Sequence, residues 1–204
     1  MTMNVLPMPD AEVTFYPAFF SANESAALLT AFQQGIHWKQ EAIKLYGKEI
    51  ALPRLTAWYG DPGATYAYSG LTVHPLPWTE TLLTIKARVE SVAGVTFNSV
   101  LLNRYRDGRD SVSWHADDEP ELGPNPVIAS VTFGAARAFQ FKHKTLPETR
   151  QSVTLTDGSL LLMAGATQHH WLHQIPKVKA ALGERINLTF RLIRKWGAGY
   201  IAGL

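Results

Sequence analysis

The chain has 204 residues, 46% of them hydrophobic, 11% aromatic and 18% charged, with a formal net charge of +2. That balance excludes an intrinsically disordered chain, and this length buries enough apolar surface for an ordinary domain. There is no cysteine, which excludes a disulfide framework, a thiol nucleophile and thiolate metal sites, so a metal must sit on His, Asp or Glu.

The opening from Met1 to Asp10 lacks a basic region followed by a long apolar run, and no stretch approaches the roughly 20 apolar residues of a membrane span. The expectation is a cytoplasmic monomer with no secretory leader and no membrane partner. Ser21 with Glu24 forms a capping box, and Ala27, Leu28, Ala31 and Phe32 share one face, which predicts a helix ending near Gly35. Ile43 to Lys48 reads as one arm and the tip of a hairpin leading into Leu55–Tyr59; about 40–70 is expected to form a β lid. Thr79 caps a second helix with the stripe Leu82, Ile85, Val89 and Val92, and Gly94 stops it. From Phe97 the pattern changes to short strands over 97–105, 127–133, 138–142, 152–155, 159–163 and 186–193, punctuated by glycines. Helices followed by closely spaced strands predict an α+β chain, one domain over 1–204, with a double-stranded β-helix (jelly-roll) core over about 97–193.

Two segments carry chemistry. In Trp114-His115-Ala116-Asp117 the alternation of an extended chain sends His115 and Asp117 to the same side, where they can share a cation. A third ligand must come from elsewhere, and His173 closes the downstream His169-His170-Trp171-Leu172-His173. Two His and one carboxylate match the facial triad of non-haem Fe(II) oxygenases, which leaves half of the coordination sphere open. Spacing alone leaves two other readings open: ordinary core or surface histidines, and a structural Zn²⁺ site in a non-catalytic jelly-roll module.

The second segment is Glu184 to Arg191. Ile186, Leu188 and Phe190 face one way, while Arg185, Asn187, Thr189 and Arg191 face the other. Aligning two arginines toward an interior is costly unless an anion waits there. A dicarboxylate such as 2-oxoglutarate supplies one, since Arg grips carboxylates through charge-assisted bonds. Asn103 and Tyr105 share a face of their own strand and offer neutral donors. The alternative is a salt-bridge network with buried carboxylates.

Asn103-x-Tyr105-x-x-Gly108-x-Asp110, His115-x-Asp117-Asp118-Glu119, His173 and Arg185-x-Asn187-x-Thr189-Phe190-Arg191 together resemble the AlkB family of Fe(II)- and 2-oxoglutarate-dependent nucleic-acid demethylases. The likeness runs from about Leu45 to Ile193 and is nearest to the animal homologues that repair duplex DNA. It includes Tyr46-Gly-Lys48, Pro53-Arg54, Tyr59-Gly-Asp61, Tyr66-Ala-Tyr68-Ser-Gly70 and Ile128-Ala-Ser-Val131. The resemblance implies Fe(II) on His115, Asp117 and His173, and 2-oxoglutarate on Asn103, Tyr105, Arg185, Thr189 and Arg191, with Arg185 on its distal carboxylate and O₂ as oxidant. It also implies a base pocket lined by Tyr66, Tyr68, Asp118 and Glu119. The nucleotide-recognition hairpin would be Leu45-Tyr46-Gly47-Lys48, with Arg54 beside it. The implied reaction is oxidative demethylation of 1-methyladenine and 3-methylcytosine in alkylated DNA, releasing formaldehyde, succinate and CO₂. RNA is the alternative substrate.

Overall fold

The computed structural model describes residues 2–45, 48–64, 66–68 and 71–194, and the description excludes the side chains of 44, 45, 66–68 and 71–73. Tyr46 and Gly47, and the side chains of Leu45, Tyr66 and Tyr68, therefore lie outside the described residues. In chain order the elements are β1 (Asn4–Val5), β2 (Glu12–Tyr16), α1 (Ala22–Gly35), β3 (Ala42–Leu45), β4 (Lys48–Ala51), β5 (Leu55–Gly60), β6 (Tyr66–Tyr68) and β7 (Leu71–Val73). They continue with α2 (Glu80–Ala93), β8 (Ser99–Tyr105), β9 (Val112–His115), a 3₁₀ turn (Pro120–Leu122), β10 (Ile128–Gly134) and β11 (Arg137–His143). The last are β12 (Arg150–Leu155), β13 (Ser159–Ala164), α3 (Thr167–His170), β14 (Trp171–Ile175) and β15 (Arg185–Arg191).

Both long helices begin where their capping residues stand, and α2 also ends on one. The Ser21 hydroxyl accepts the Glu24 N–H while the Glu24 carboxylate accepts the Ser21 N–H at 2.8 Å, satisfying two donors of the first turn. Thr79 caps α2, and Gly94 ends it in the left-handed conformation at φ 68°, which glycine adopts without a Cβ penalty.

Among the described residues, seven strands form a major sheet in the order β1-β2-β13-β10-β15-β8-β5, and four form a minor sheet in the order β12-β11-β14-β9. All strand pairings in both sheets are antiparallel. Strands β8, β10 and β13 split their apolar side chains between two cores. Val100, Leu102, Val131, Leu160, Ile186, Leu188 and Phe190 pack with Phe32 of α1 and with Leu82, Ile85 and Val89 of α2. Their alternates Ile128, Leu161, Met163 and Tyr105 face Phe139, Phe141 and Trp171 of the minor sheet. The expected jelly-roll core is therefore present. The span expected as a lid divides: β3 and β4 form a separate hairpin, whereas β5 joins the edge of the major sheet. The sequence reading omitted β2, which pairs with β13. It also omitted β14, which pairs with both β9 and β11.

Candidate metal centre and co-substrate cradle

His115 ends β9 and His173 lies mid-way along β14, and the antiparallel register sets the two directly opposite each other. Their rings meet edge to face, with centroids 4.3 Å apart. Asp117 follows His115 by two residues and turns its carboxylate to the same place, so that one ligand atom from each of the three lies within 4.8 Å of the others. The pairing of β9 with β14, rather than sequence proximity, unites the triad.

The electrostatics keep His173 and Asp117 in ligand form. Burial and the neighbouring His115 push His173 down to about 3, so its imidazole is neutral and holds a lone pair. Burial pushes the Asp117 carboxyl up, but Arg191, His173 and His115 outweigh it and hold the group below the usual carboxylate range. Arg191 Nη2 donates to Asp117 Oδ1 at 2.7 Å. The His115 Nδ1 lies 2.8 Å from the Ser113 carbonyl; since a carbonyl only accepts, Nδ1 carries the proton and Nε2 is left for a cation.

A second group of the same composition, Asp10 with His143 and His170, also brings its ligand atoms within 4.8 Å of one another. Here the ring is used the other way round. His143 Nδ1 accepts the Thr145 and Leu146 N–H groups at 3.2 and 3.1 Å, so the proton of the neutral ring sits on Nε2, which faces Asp10 Oδ2 at 3.4 Å.

The triad opens on a cavity of about 450 Å³. On its inner wall stand Asn103 and Tyr105 of β8 and Arg185, Asn187, Thr189 and Arg191 of β15, the face that alternation assigns to them. The Arg185 side chain is fully buried. Its Nη2 donates to Thr132 Oγ1 at 2.9 Å and to Asn187 Oδ1 at 2.6 Å, and its guanidinium lies 5.0 Å from the centre of the Tyr105 ring. Its Nε and Nη1 are buried with no hydrogen-bond partner. Burial pulls Arg185 down to about 10, with Tyr105 opposing, so it remains charged at neutral pH. A buried cation with two unmet donors is what a buried carboxylate would complete. Asn187 holds the cradle together: it accepts from Ser130 and Thr132, and its Nδ2 donates to Thr189 Oγ1 at 3.0 Å.

At the mouth, Ile43, Arg54, Trp114 and Glu119 line the cavity. Arg54 Nε donates to Asn103 Oδ1 at 2.8 Å, linking the mouth to the inner wall. Partial desolvation at the rim, with Asp117 nearby, raises the Glu119 carboxyl above its usual range. Asp118 is not among the lining residues; its carboxylate lies outside, 2.9 Å from Lys144 Nζ. Lys48 is an exposed residue at the start of β4. Sequence reasoning missed Ser130, Thr132 and Gln168. The alternating pattern of β10 could have flagged the first two; nothing local marks Gln168.

Residues 12–191 match the model of the 2OG-Fe(II) oxygenase superfamily. The chain is 42% identical over 200 residues to the alpha-ketoglutarate-dependent dioxygenase alkB homolog 3 of Rattus norvegicus, covering 94% of this chain and 67% of that protein. It is 43% identical over 188 residues to the human DNA oxidative demethylase ALKBH2, covering 87% and 72% respectively. Among solved structures, that of OsALKBH1 superposes with a TM-score of 0.67 at 16% identity, covering 94% of this chain and all of that one; at that identity the match speaks for the fold. With two imidazoles, a carboxylate and an anion-seeking arginine around one cavity, the chain belongs to the 2OG-Fe(II) oxygenase superfamily and, within it, to the AlkB family, with Fe(II), 2-oxoglutarate and O₂ as its cofactor and co-substrates.

Proposed function

We propose that this protein is a DNA repair enzyme that oxidatively demethylates N-methylated bases, 1-methyladenine and 3-methylcytosine first among them. The observation that carries the reading is the shared cavity: the triad His115, Asp117 and His173 and the orphaned donors of Arg185 open on the same space. The names of the relatives, a DNA oxidative demethylase among them, supply the substrate class.

In this reading His115, Asp117 and His173 would hold the iron, and Arg185 would take the distal carboxylate of 2-oxoglutarate with a donor that its buried guanidinium leaves unmet. Asn103, Tyr105 and Thr189 bind and orient the rest of the keto acid, while Arg191 fixes the Asp117 carboxylate. The bound metal and keto acid supply hydroxylation of a methyl carbon on nitrogen, with succinate and CO₂ as by-products; the hydroxymethyl group then leaves as formaldehyde. No protein nucleophile is needed, in keeping with a chain that has no cysteine.

A base must leave the stack to reach so deep a site, which costs a few kcal/mol and least for a lesion that no longer pairs. Arg54 and Glu119 at the mouth, with Tyr66 and Tyr68, receive it; Asp118 acts from the rim. The tip Leu45-Tyr46-Gly47-Lys48 meets the strand, Tyr46 filling the vacated stack and Lys48 a phosphate. The cross-strand pair Ile43 and Ile50, 48% and 45% exposed, gives the hairpin an apolar face unusual for solvent and suited to bases. Mass spectrometry of methylated oligonucleotides, as single-stranded DNA, duplex DNA and RNA, tests the reading. Loss of 14 Da from methylated DNA, dependent on Fe(II) and 2-oxoglutarate, is the expected result; demethylation of RNA alone would reassign the substrate, and succinate release without any base product would reject it.

A further inference from the structure

The four residues of α3, between β13 and the strand that carries His173, have no place in the cavity wall apart from what their fold does to Asp117. The Gln168 side chain is fully buried. Its Oε1 accepts the Asp117 N–H at 2.9 Å across 51 residues of sequence, while its Nε2 rests 3.5 Å from Met163 Sδ. Its carbonyl accepts Lys144 Nζ at 3.0 Å, and the same ammonium holds Asp118 at 2.9 Å. The helix is itself pinned: Thr167 Oγ1 donates to the Ala164 carbonyl and accepts the Glu12 N–H at 2.9 Å.

We propose that Gln168 is a positioning residue for Asp117, holding the main chain of that residue so that its carboxylate stays turned toward His115 and His173, where the triad would hold a metal. The argument starts from what Asp117 lacks. It stands just beyond the end of β9, outside the β9–β14 ladder, and a buried amide without an acceptor is costly enough to re-orient a loop. Gln168 supplies the acceptor. Arg191 fixes one carboxylate oxygen, so the ligand is held at both its amide and its carboxylate. His173 lies five residues after Gln168 on the same α3–β14 segment. That segment thus delivers one ligand directly and a second at one remove, and any movement of it displaces both together. Partners of metal ligands that fix their orientation commonly change metal affinity about ten- to a hundredfold when removed.

The inference rests on the triad assignment, and its test separates the two. Metal-free protein is titrated with Mn(II) by calorimetry, alongside its melting temperature without metal. Gln168→Met, close in volume but with only a weak thioether acceptor in place of the amide oxygen, should weaken Mn(II) about tenfold or more, while stabilisation by 2-oxoglutarate in the absence of metal, which reads Arg185, is retained. Gln168→Glu keeps an acceptor oxygen at the same reach and should recover most of the lost affinity. Mn(II) affinity within twofold of the parent in Gln168→Met would overturn the proposal. Equal loss in the Met and Glu variants would also overturn it, making Gln168 a packing residue. Unchanged affinity in Asp117→Ala would instead bring down the triad, and this inference with it.

Discussion

Asp117 with His115 and His173, and Asp10 with His143 and His170, each gather one carboxylate and two imidazoles within 4.8 Å. In the first group the ring of His115 gives its Nδ1 proton to the Ser113 carbonyl and keeps a lone pair at Nε2. In the second the ring of His143 spends its Nδ1 lone pair on two main-chain N–H groups and keeps a proton at Nε2. The first group also faces a cavity with an unsatisfied guanidinium; none of the second lines that cavity. The difference teaches that three ligand-type residues do not by themselves specify a metal site, because what holds the far nitrogen of a ring, as at His115 and His143, decides which nitrogen faces a cation. His143 is a staple of the β11–β12 turn that happens to stand near an aspartate and another histidine.

The largest effect that can test this contrast is on turnover. Asp117→Ala should abolish succinate release while the fold persists by circular dichroism, whereas Asp10→Ala should stay near the parent rate; comparable losses in both would erase the distinction. Next comes the cradle that only the first group possesses. Hydrogen bonds to charged groups are worth about 1.5–3 kcal/mol, so Arg185→Ala should weaken 2-oxoglutarate about ten- to a hundredfold or more, read by calorimetry. Unchanged binding would make Arg185 a structural cation instead. The smallest effect belongs to the second group. His143→Ala leaves the Thr145 and Leu146 amides without their acceptor, at about 1–3 kcal/mol if neither finds another. For a chain of this size that lowers the melting temperature by roughly 2–4 °C per kcal/mol. The rise in melting temperature on adding Mn(II) should be untouched; its loss in His143→Ala would show that the second group does bind cations.

Much of the site could be read before the fold was known, because its key segments obey local rules. The period-two pattern of 184–191 put Arg185, Asn187, Thr189 and Arg191 on one face whatever that face met, and the caps Ser21, Thr79 and Gly94 are decided within four residues of themselves. What could not be read depends on pairings between distant segments. β2 is legible as a strand only once β13 is there to receive it. The bond from Gln168 to Asp117 spans 51 residues and leaves no periodic trace. His143 and His173 are both buried histidines on neighbouring minor-sheet strands, and nothing in their flanking residues says which nitrogen the chain will occupy. The base-pocket role for Asp118 came from likeness alone, and it is Lys144, 26 residues away in sequence, that holds its carboxylate outside the cavity.

The two idle donors of Arg185 also have a consequence outside catalysis. A folded chain that keeps a charged group short of partners in its interior sits higher on its own free-energy scale than it needs to, and any molecule that completes the group acts as a folding ligand. By mass action, a ligand at a hundred times its dissociation constant adds about 2.7 kcal/mol to the stability of the form that binds it. Resistance of the purified protein to proteolysis should therefore rise with the concentration of the keto acid.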